Sequence, residues 1–319
     1  MSAPVGESAR RVRSARVVGF VLGALLLAGA GAALATRTED LRAALGAVRT
    51  APPGWFIAAA ALPLVTLVAT SGAFWVLMNR HGRVRLGEML ALINAAWLLN
   101  YLPLWPGMIG RLAYHKSVNG IAVRDSAKAI IWANVLNLLG AGLTLAALAG
   151  GSLVFDGGDW RLAAIGAAPI VVIGGLAAHA ARVAPKPEPG LWRLLACAAV
   201  RAVEVHIHAA RYGVCFAITG SPIDWGAALA LACAAALAGA VNAAPNGLGV
   251  REWVIALVAP VLPVALTGRA SLDLTAGLAA DLLNRGFEVL VAVPTGLVAS
   301  AWVAGRVKER GANGVEAGT

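Results

Sequence analysis

Residues 55–78 read WFIAAAALPLVTLVATSGAFWVLM, a run of 24 residues without a charged side chain. A helix rises 1.5 Å per residue, so about 20 apolar residues cross the roughly 30 Å hydrocarbon core of a bilayer. Backbone polar groups are satisfied in lipid only within helices or closed barrels. The run is continuous rather than alternating, which favours a helix over a barrel strand. This stretch therefore predicts a transmembrane helix.

The remainder of the 319-residue chain has the same character, with 59% hydrophobic and 13% charged residues. Soluble domains have about 45–50% apolar and about 25% charged residues. Six full spans are predicted, at 17–35, 54–79, 129–150, 162–182, 191–219 and 273–303. Two more apolar stretches, 86–118 and 226–266, are interrupted by Asn, Pro and Gly and are predicted to be re-entrant hairpins. The expected fold is an all-α polytopic membrane protein with one transmembrane domain over 17–303.

Basic residues indicate the orientation. Segments expected on the cytoplasmic side carry 17 Lys and Arg, whereas those expected outside carry 5. The cytoplasmic segments are 1–16, 80–88, 111–128, 182–193 and 304–319. The external segments are 36–53, 151–161 and 267–272. The positive-inside rule then places both termini in the cytoplasm of a bacterial inner membrane. The net charge of +10 lies in these short loops without a nucleic-acid-binding motif, so no nucleic acid partner is expected.

The N-terminal apolar run and the cysteines carry less information. A basic segment precedes residues 17–35, which end in Ala33-Leu34-Ala35 like a signal peptide, but the run is long and an uncleaved anchor is expected. Cys197, Cys215 and Cys233 lie in apolar runs without metal-ligand spacing. No cofactor or metal is therefore expected.

The two interruptions share a short pattern. Asn100-Tyr101-Leu102-Pro103 and Asn242-Ala243-Ala244-Pro245 both read Asn-x-x-Pro, and each is followed by Gly and Arg. Their flanking helices keep similar offsets with opposite orientation, which predicts an inverted repeat of about 54–150 and about 191–303. In transporters, interrupted helices at matching repeat positions mark a binding site near the bilayer midplane. The alternative is that so short a pattern recurs by chance.

Ionisable residues inside predicted spans form two helix faces. Arg201, Glu204, His208 and Arg211 lie on one face of 191–219, and Asp281, Asn284, Arg285 and Glu288 on one face of 273–303. Each charge at a helix centre costs about 2.5–3.5 kcal/mol on insertion scales. Structural ion pairs, such as Arg201 with Glu204, are one interpretation. We favour a hydrated cavity, in which Arg285 and Glu252 share a wall while Arg211, near a helix end, snorkels towards water.

One motif is similar to that of a known family. Residues 245–252, Pro-Asn-Gly-Leu-Gly-Val-Arg-Glu, resemble the Pro-x-Gly-x-Gly-x-x-Glu signature of the transmembrane region of lysylphosphatidylglycerol synthases. Residues 282–285 resemble that family's final helix, and 100–110 its first hairpin. The resemblance covers the layout of 17–303. Arg111 departs from it, because many members carry an acidic residue there.

The resemblance implies a function in lipid transport. In the large members this region is implicated in flipping aminoacylated phospholipid between leaflets, and a separate soluble domain makes the lipid. We expect a stand-alone member without that domain: a non-enzymatic, flippase-like translocator whose partners are membrane lipids and lipid-synthesis enzymes. The expected substrate-binding residues are Asn100, Arg111, Arg201, Glu204, His208, Asn242, Arg251, Glu252, Asp281 and Arg285. Among these, Arg111, Arg251 and Arg285 would attract phosphate, since guanidinium pairs with it in bidentate fashion.

Two other functions stay open at this point. The first is an intramembrane lipid-modifying transferase or hydrolase with Glu204 and His208, or Glu252, as base. Against it, the chain has neither H-E-x-x-H nor G-x-S-x-G. The second is an accessory subunit of a lipid- or polysaccharide-synthesis complex. No G-x-x-x-x-G-K-[ST] motif is present, so transport would be passive or ion-coupled.

Overall fold

The structure is a computed structural model that describes residues 21, 24–33, 35–102, 106–152, 160–183, 190–240, 247, 249–261 and 272–316. Its regular elements are all helices, and no β-strand occurs among these residues. They are α1 (Ala24–Ala33), α2 (Thr38–Thr50), α3 (Pro53–Met78), α4 (Leu86–Leu99), α5 (Pro106–Ser117), α6 (Val123–Ser152), α7 (Trp160–Val183), α8 (Leu191–Ile218), α9 (Trp225–Ala240), α10 (Val250–Val258) and α11 (Leu274–Glu316).

Within that part of the chain, three helices are long and apolar enough to cross a membrane. They are α3, α6 and the Leu274–Arg310 portion of α11. Large apolar side chains point outwards from the bundle: Ile57, Val171 and Val298 are 70%, 73% and 73% exposed. Exposed apolar surface on this scale marks contact with a partner or a membrane. The all-helical membrane class predicted from the sequence is therefore supported, whereas six spans and an inverted repeat stay predictions.

Helix α8 lies at the centre of the bundle. It packs against α3, α6, α7, α9 and α11. Small residues allow close approach on one side, where Gly140 of α6 faces the backbone of Ala202. The buried face of α8 is nevertheless charged, with Arg201, Glu204 and Arg211 each at most 6% exposed. The central helix thus carries ionisable side chains into the core.

The end of α3 shows how local sequence sets the turn into α4. Pro53 opens α3, where a missing N–H is tolerated. At the other end, Asn79 donates from Nδ2 to the Trp75 carbonyl at 2.9 Å. Its Oδ1 accepts the Val84 N–H at 3.1 Å. The amide of Asn79 thereby caps α3 and holds the loop that leads into α4.

Both predicted interruptions are confirmed. Helix α4 ends at Leu99 and α5 begins at Pro106, while α9 ends at Ala240 and α10 begins at Val250. Gly247 and Gly249 before α10 have φ values of +65° and +78°, which suit glycine because it lacks a Cβ. With 14 and 12 residues, α4 and α5 are about 21 and 18 Å long, too short to span about 30 Å of hydrocarbon.

Helix boundaries elsewhere differ from the predictions in three places. Helix α6 begins at Val123 rather than 129, and α11 continues to Glu316 rather than 303. Helix α2 was not predicted, because its residues were assigned to an external loop on their charge. It has Glu39 and Asp40 in its first turn and Arg49 in its last, which match the helix dipole. Of the predicted span 17–35, the part 24–33 is helical.

Candidate functional site

A polar cavity of about 290 Å³ opens within the bundle, next to α8. Helices α3, α4, α5, α6, α8, α10 and α11 all contribute to its wall. Six of the predicted site residues line it: Asn100, Arg111, Arg201, Glu204, His208 and Arg251. Arg211, Glu288, Thr70 and Phe74 also line it and were not among the predicted site residues. Asn242 lies outside the residues that the structure describes.

On the α3 side, one carboxylate is held by two donors. Arg201 Nη1 donates to Glu204 Oε2 at 2.5 Å, one turn along α8. Thr70 Oγ1 donates to Glu204 Oε1, also at 2.5 Å, from α3. Both Arg201 and Glu204 are buried. The predicted ion pair within α8 is therefore confirmed. The additional hydrogen bond from the Thr70 hydroxyl could not be predicted from the sequence pattern.

On the α11 side, Glu288 collects three guanidinium groups. Arg251 Nη1 donates to both of its carboxylate oxygens at 3.0 and 3.2 Å, and Arg285 Nη1 donates at 3.4 Å. Arg211 Nη2 forms a short hydrogen bond to the same carboxylate. Helices α8, α10 and α11 are thus joined at one buried acid, which is 4% exposed.

Arg211 corrects an expectation from the sequence. It was predicted to snorkel, but it is 2% exposed and donates from Nε and Nη2 to Asn284 Oδ1 at 3.0 and 2.7 Å. Its Nη1 lies 3.5 Å from His208 Nδ1. A guanidinium only donates, so a hydrogen bond here uses that ring nitrogen as the acceptor. Proximity to the helix end misled the prediction, since α11 covers this end of α8.

Asp281, Glu252 and Arg285 lie behind the cavity wall rather than on it. Asp281 is fully buried and accepts from Tyr212 at 2.8 Å and from Arg251 Nε at 3.3 Å. Arg285 Nε donates to Glu252 Oε1 at 2.9 Å, and Glu252 is 0% exposed. The structure brings this predicted pair together, yet neither partner is among the cavity-lining residues. Arg251 and Arg285 are both engaged by carboxylates, which weakens their predicted role in attracting phosphate.

Arg111 has different surroundings. Its guanidinium lies 4.6 Å from the centroid of the Phe74 ring, and that of Arg201 lies 5.0 Å from the same ring. Such cation–π contacts orient a guanidinium without neutralising it. No acidic residue in the described part of the chain forms an ion pair with Arg111. Its buried Nε has no hydrogen-bond partner among the residues that the structure describes.

No grouping of three His, Cys, Asp or Glu residues suitable for a metal ion occurs in the described segments. No protein-family model and no curated protein matches the chain. The resemblance to the transmembrane region of lysylphosphatidylglycerol synthases therefore rests on the motifs quoted above and stays a prediction. What the structure establishes is a charged cavity inside an apolar helical membrane protein.

Proposed function

We propose that the protein is a flippase-like membrane lipid translocator, a stand-alone relative of the transmembrane region of lysylphosphatidylglycerol synthases. It moves a phospholipid or related amphiphile between leaflets by holding the headgroup in the polar cavity. The observation that carries the proposal is the cavity itself, lined by four arginines and two glutamates within an apolar bundle. Ionisable groups at membrane depth are costly and typically mark a substrate or ion pathway.

The contacts of the acids favour translocation over lipid chemistry. A general base needs a carboxylate or imidazole within reach of its substrate. Glu204 is engaged by Arg201 and Thr70, and Glu252 is engaged by Arg285 outside the cavity lining. The two carboxylates considered as a base are thus committed to ion pairs, which supports a binding and transport function.

The lipid-transport proposal is tested by narrowing the cavity. Ile93 lines the cavity, so Ile93→Trp places an indole in the space that the headgroup would occupy. Purified protein in liposomes with a fluorescent phospholipid should move lipid to the outer leaflet, where dithionite quenches it. We expect Ile93→Trp to reduce the initial rate at least about tenfold, or roughly 1.4 kcal/mol in the barrier.

Ile131→Trp is the matched control, because Ile131 is 61% exposed on the outside of the bundle. It should retain the wild-type rate. A wild-type rate no higher than that of protein-free liposomes would contradict lipid translocation by this protein.

We further propose that α4–α5 and α9–α10 are the re-entrant hairpins of an inverted repeat, embedded with six full spans in a bacterial inner membrane. The short lengths of α4 and α5 and the matching interruptions support this arrangement. In this topology both termini and the α5–α6 loop face the cytoplasm, while α2 faces outwards.

Labelling of single introduced cysteines tests that topology. Glu39, Lys116 and Arg310 are exposed, whereas Cys197, Cys215 and Cys233 are buried and should stay silent. An impermeant maleimide should label Glu39→Cys in intact cells. It should label Lys116→Cys and Arg310→Cys only after the cells are opened. Labelling of Lys116→Cys in intact cells would show that 86–118 crosses the membrane, and the inverted repeat would be wrong.

A further inference from the structure

The cavity carries more positive charge than its acids balance. Its lining holds four arginines and two glutamates. Behind the wall, Asp281 forms an ion pair with Arg251, and Glu252 forms an ion pair with Arg285. Among these described groups, every arginine except Arg111 has a carboxylate partner. The excess is therefore one guanidinium, at Arg111.

Three buried nitrogens on arginines of the wall have no hydrogen-bond partner among the described residues. These nitrogens are Arg111 Nε, Arg201 Nε and Arg251 Nη2. They come from α5, α8 and α10, and all three residues line this one cavity. No acceptor on a described cavity-lining residue is left in the same condition. A buried donor without a partner is costly, so an acceptor that reached these nitrogens would be favoured over a further donor.

From these observations we infer that the Arg111 side of the cavity is a subsite for one phosphate anion, and that the substrate is a lipid with a net negative headgroup. This inference rests on the proposed function for how the site is used. A phosphate oxygen accepts from guanidinium, and the Arg111 and Arg201 guanidinium groups both lie within 5.0 Å of the centroid of the Phe74 ring. Asn100 and Asn134, which line the same cavity, add amide donors for the remaining oxygens.

The same geometry disfavours a cationic headgroup. Glu204 and Glu288 are the acids among the described lining residues, and both are already engaged by arginine. An aminoacylated or choline headgroup would bring a positive charge next to an excess guanidinium. The structure therefore favours phosphatidylglycerol- or phosphatidate-like lipids over the aminoacylated phospholipid that the family resemblance implies.

Thermal unfolding of the detergent-purified protein tests the subsite without requiring transport. Dihexanoyl phosphatidylglycerol should raise the melting temperature, whereas dihexanoyl phosphatidylcholine at the same concentration should not. Arg111→Gln should abolish the shift without lowering the melting temperature of the ligand-free protein, because no carboxylate loses its partner. Arg124→Gln, at an exposed position on α6, is the control and should keep the shift.

Three outcomes would overturn the inference. The first is an equal shift with both short-chain lipids, and the second is a shift that survives in Arg111→Gln. The third is a shift with inorganic phosphate and none with phosphatidylglycerol, which would assign the site to free phosphate. Arg111→Lys keeps the charge but not the planar fork, so it should retain part of the shift.

Transport separates this inference from the proposed function. In liposomes, the wild-type protein should move fluorescent phosphatidylglycerol about tenfold faster than phosphatidylcholine, and Arg111→Gln should bring that ratio close to one. If the wild-type protein moved both lipids at the same rate, and Arg111→Gln left those rates unchanged, the anionic subsite would be wrong. Lipid translocation would still hold. If phosphatidylglycerol raised the melting temperature but no lipid moved in liposomes, translocation would be wrong and the anionic subsite would still hold.

Discussion

Glu288→Gln is expected to remove most of the folded protein from a detergent extract. Glu288 is the carboxylate on which Arg211, Arg251 and Arg285 converge, and it is 4% exposed. Removing one partner of a buried ion pair costs about 3–5 kcal/mol because the other charge is left uncompensated. Whole domains are stable by only about 5–15 kcal/mol. The monodisperse fraction on size-exclusion chromatography and the melting temperature both measure the effect.

Glu309→Gln is the matched control for this substitution. Glu309 pairs with Arg306 at 3.2 Å one turn away on the same helix, but its side chain is 65% exposed. An exposed pair contributes little to stability, so Glu309→Gln should behave like the wild-type protein. If Glu288→Gln were equally well folded, the three arginines would have to be balanced by other groups.

Gly107→Ala is expected to destabilise the junction of α4 and α5 and to impair the cavity at the same time. A Cβ at Gly107 would overlap the Ala96 carbonyl oxygen and Asn100 Oδ1, and would lie 3.0 Å from Ala96 Cα. Since two of these atoms belong to the α4 backbone, the helices must separate. Overpacking of this kind typically costs about 1–3 kcal/mol. Asn100 and Arg111, on opposite sides of the junction, both line the cavity, so lipid movement should fall with the melting temperature.

Gly110→Ala separates this clash from the general effect of replacing glycine in a helix. Gly110 lies one turn further along α5, and nothing is within 4 Å of a Cβ placed there. Alanine in an open helix position is favoured over glycine by about 1 kcal/mol, so Gly110→Ala should be at least as stable as the wild-type protein. A Gly107→Ala variant with the same stability would mean that α4 and α5 do not touch at this point.

Much of the fold could be predicted because hydrophobic length and helix-breaking residues act locally. The run 55–78 by itself predicted α3 to within two residues, and the Asn, Pro and Gly residues located both interruptions. Helix α2 was missed because its charges suggested a loop. In the structure those same charges stabilise the ends of α2. Glu39, Asp40 and Arg49 therefore indicated a helix, but they were interpreted as marking a loop outside the membrane.

The site was predictable as a set of polar residues but not as a geometry. Helical spacing identified the charged faces of α8 and α11, and these faces do meet. Which residues pair depends on how far each helix slides along the next, and spacing within one helix does not encode that offset. Arg285 and Glu252 were therefore expected on the wall, and Phe74 was overlooked within an apolar run.

The charged core of α8 has a consequence for how the chain enters the membrane during synthesis. Arg201 meets Glu204 within its own helix, but Arg211 meets Glu288 only 77 residues later in the chain. At about 5–20 residues per second, a ribosome takes roughly 4–15 s to make that interval. During this time Arg211 has no acid from α11, and release into lipid would cost about 2.5–3.5 kcal/mol for that charge. In the six-span topology proposed above, α8 would avoid this cost by staying beside the insertion machinery until α11 emerges, and the two helices would then leave for the bilayer together.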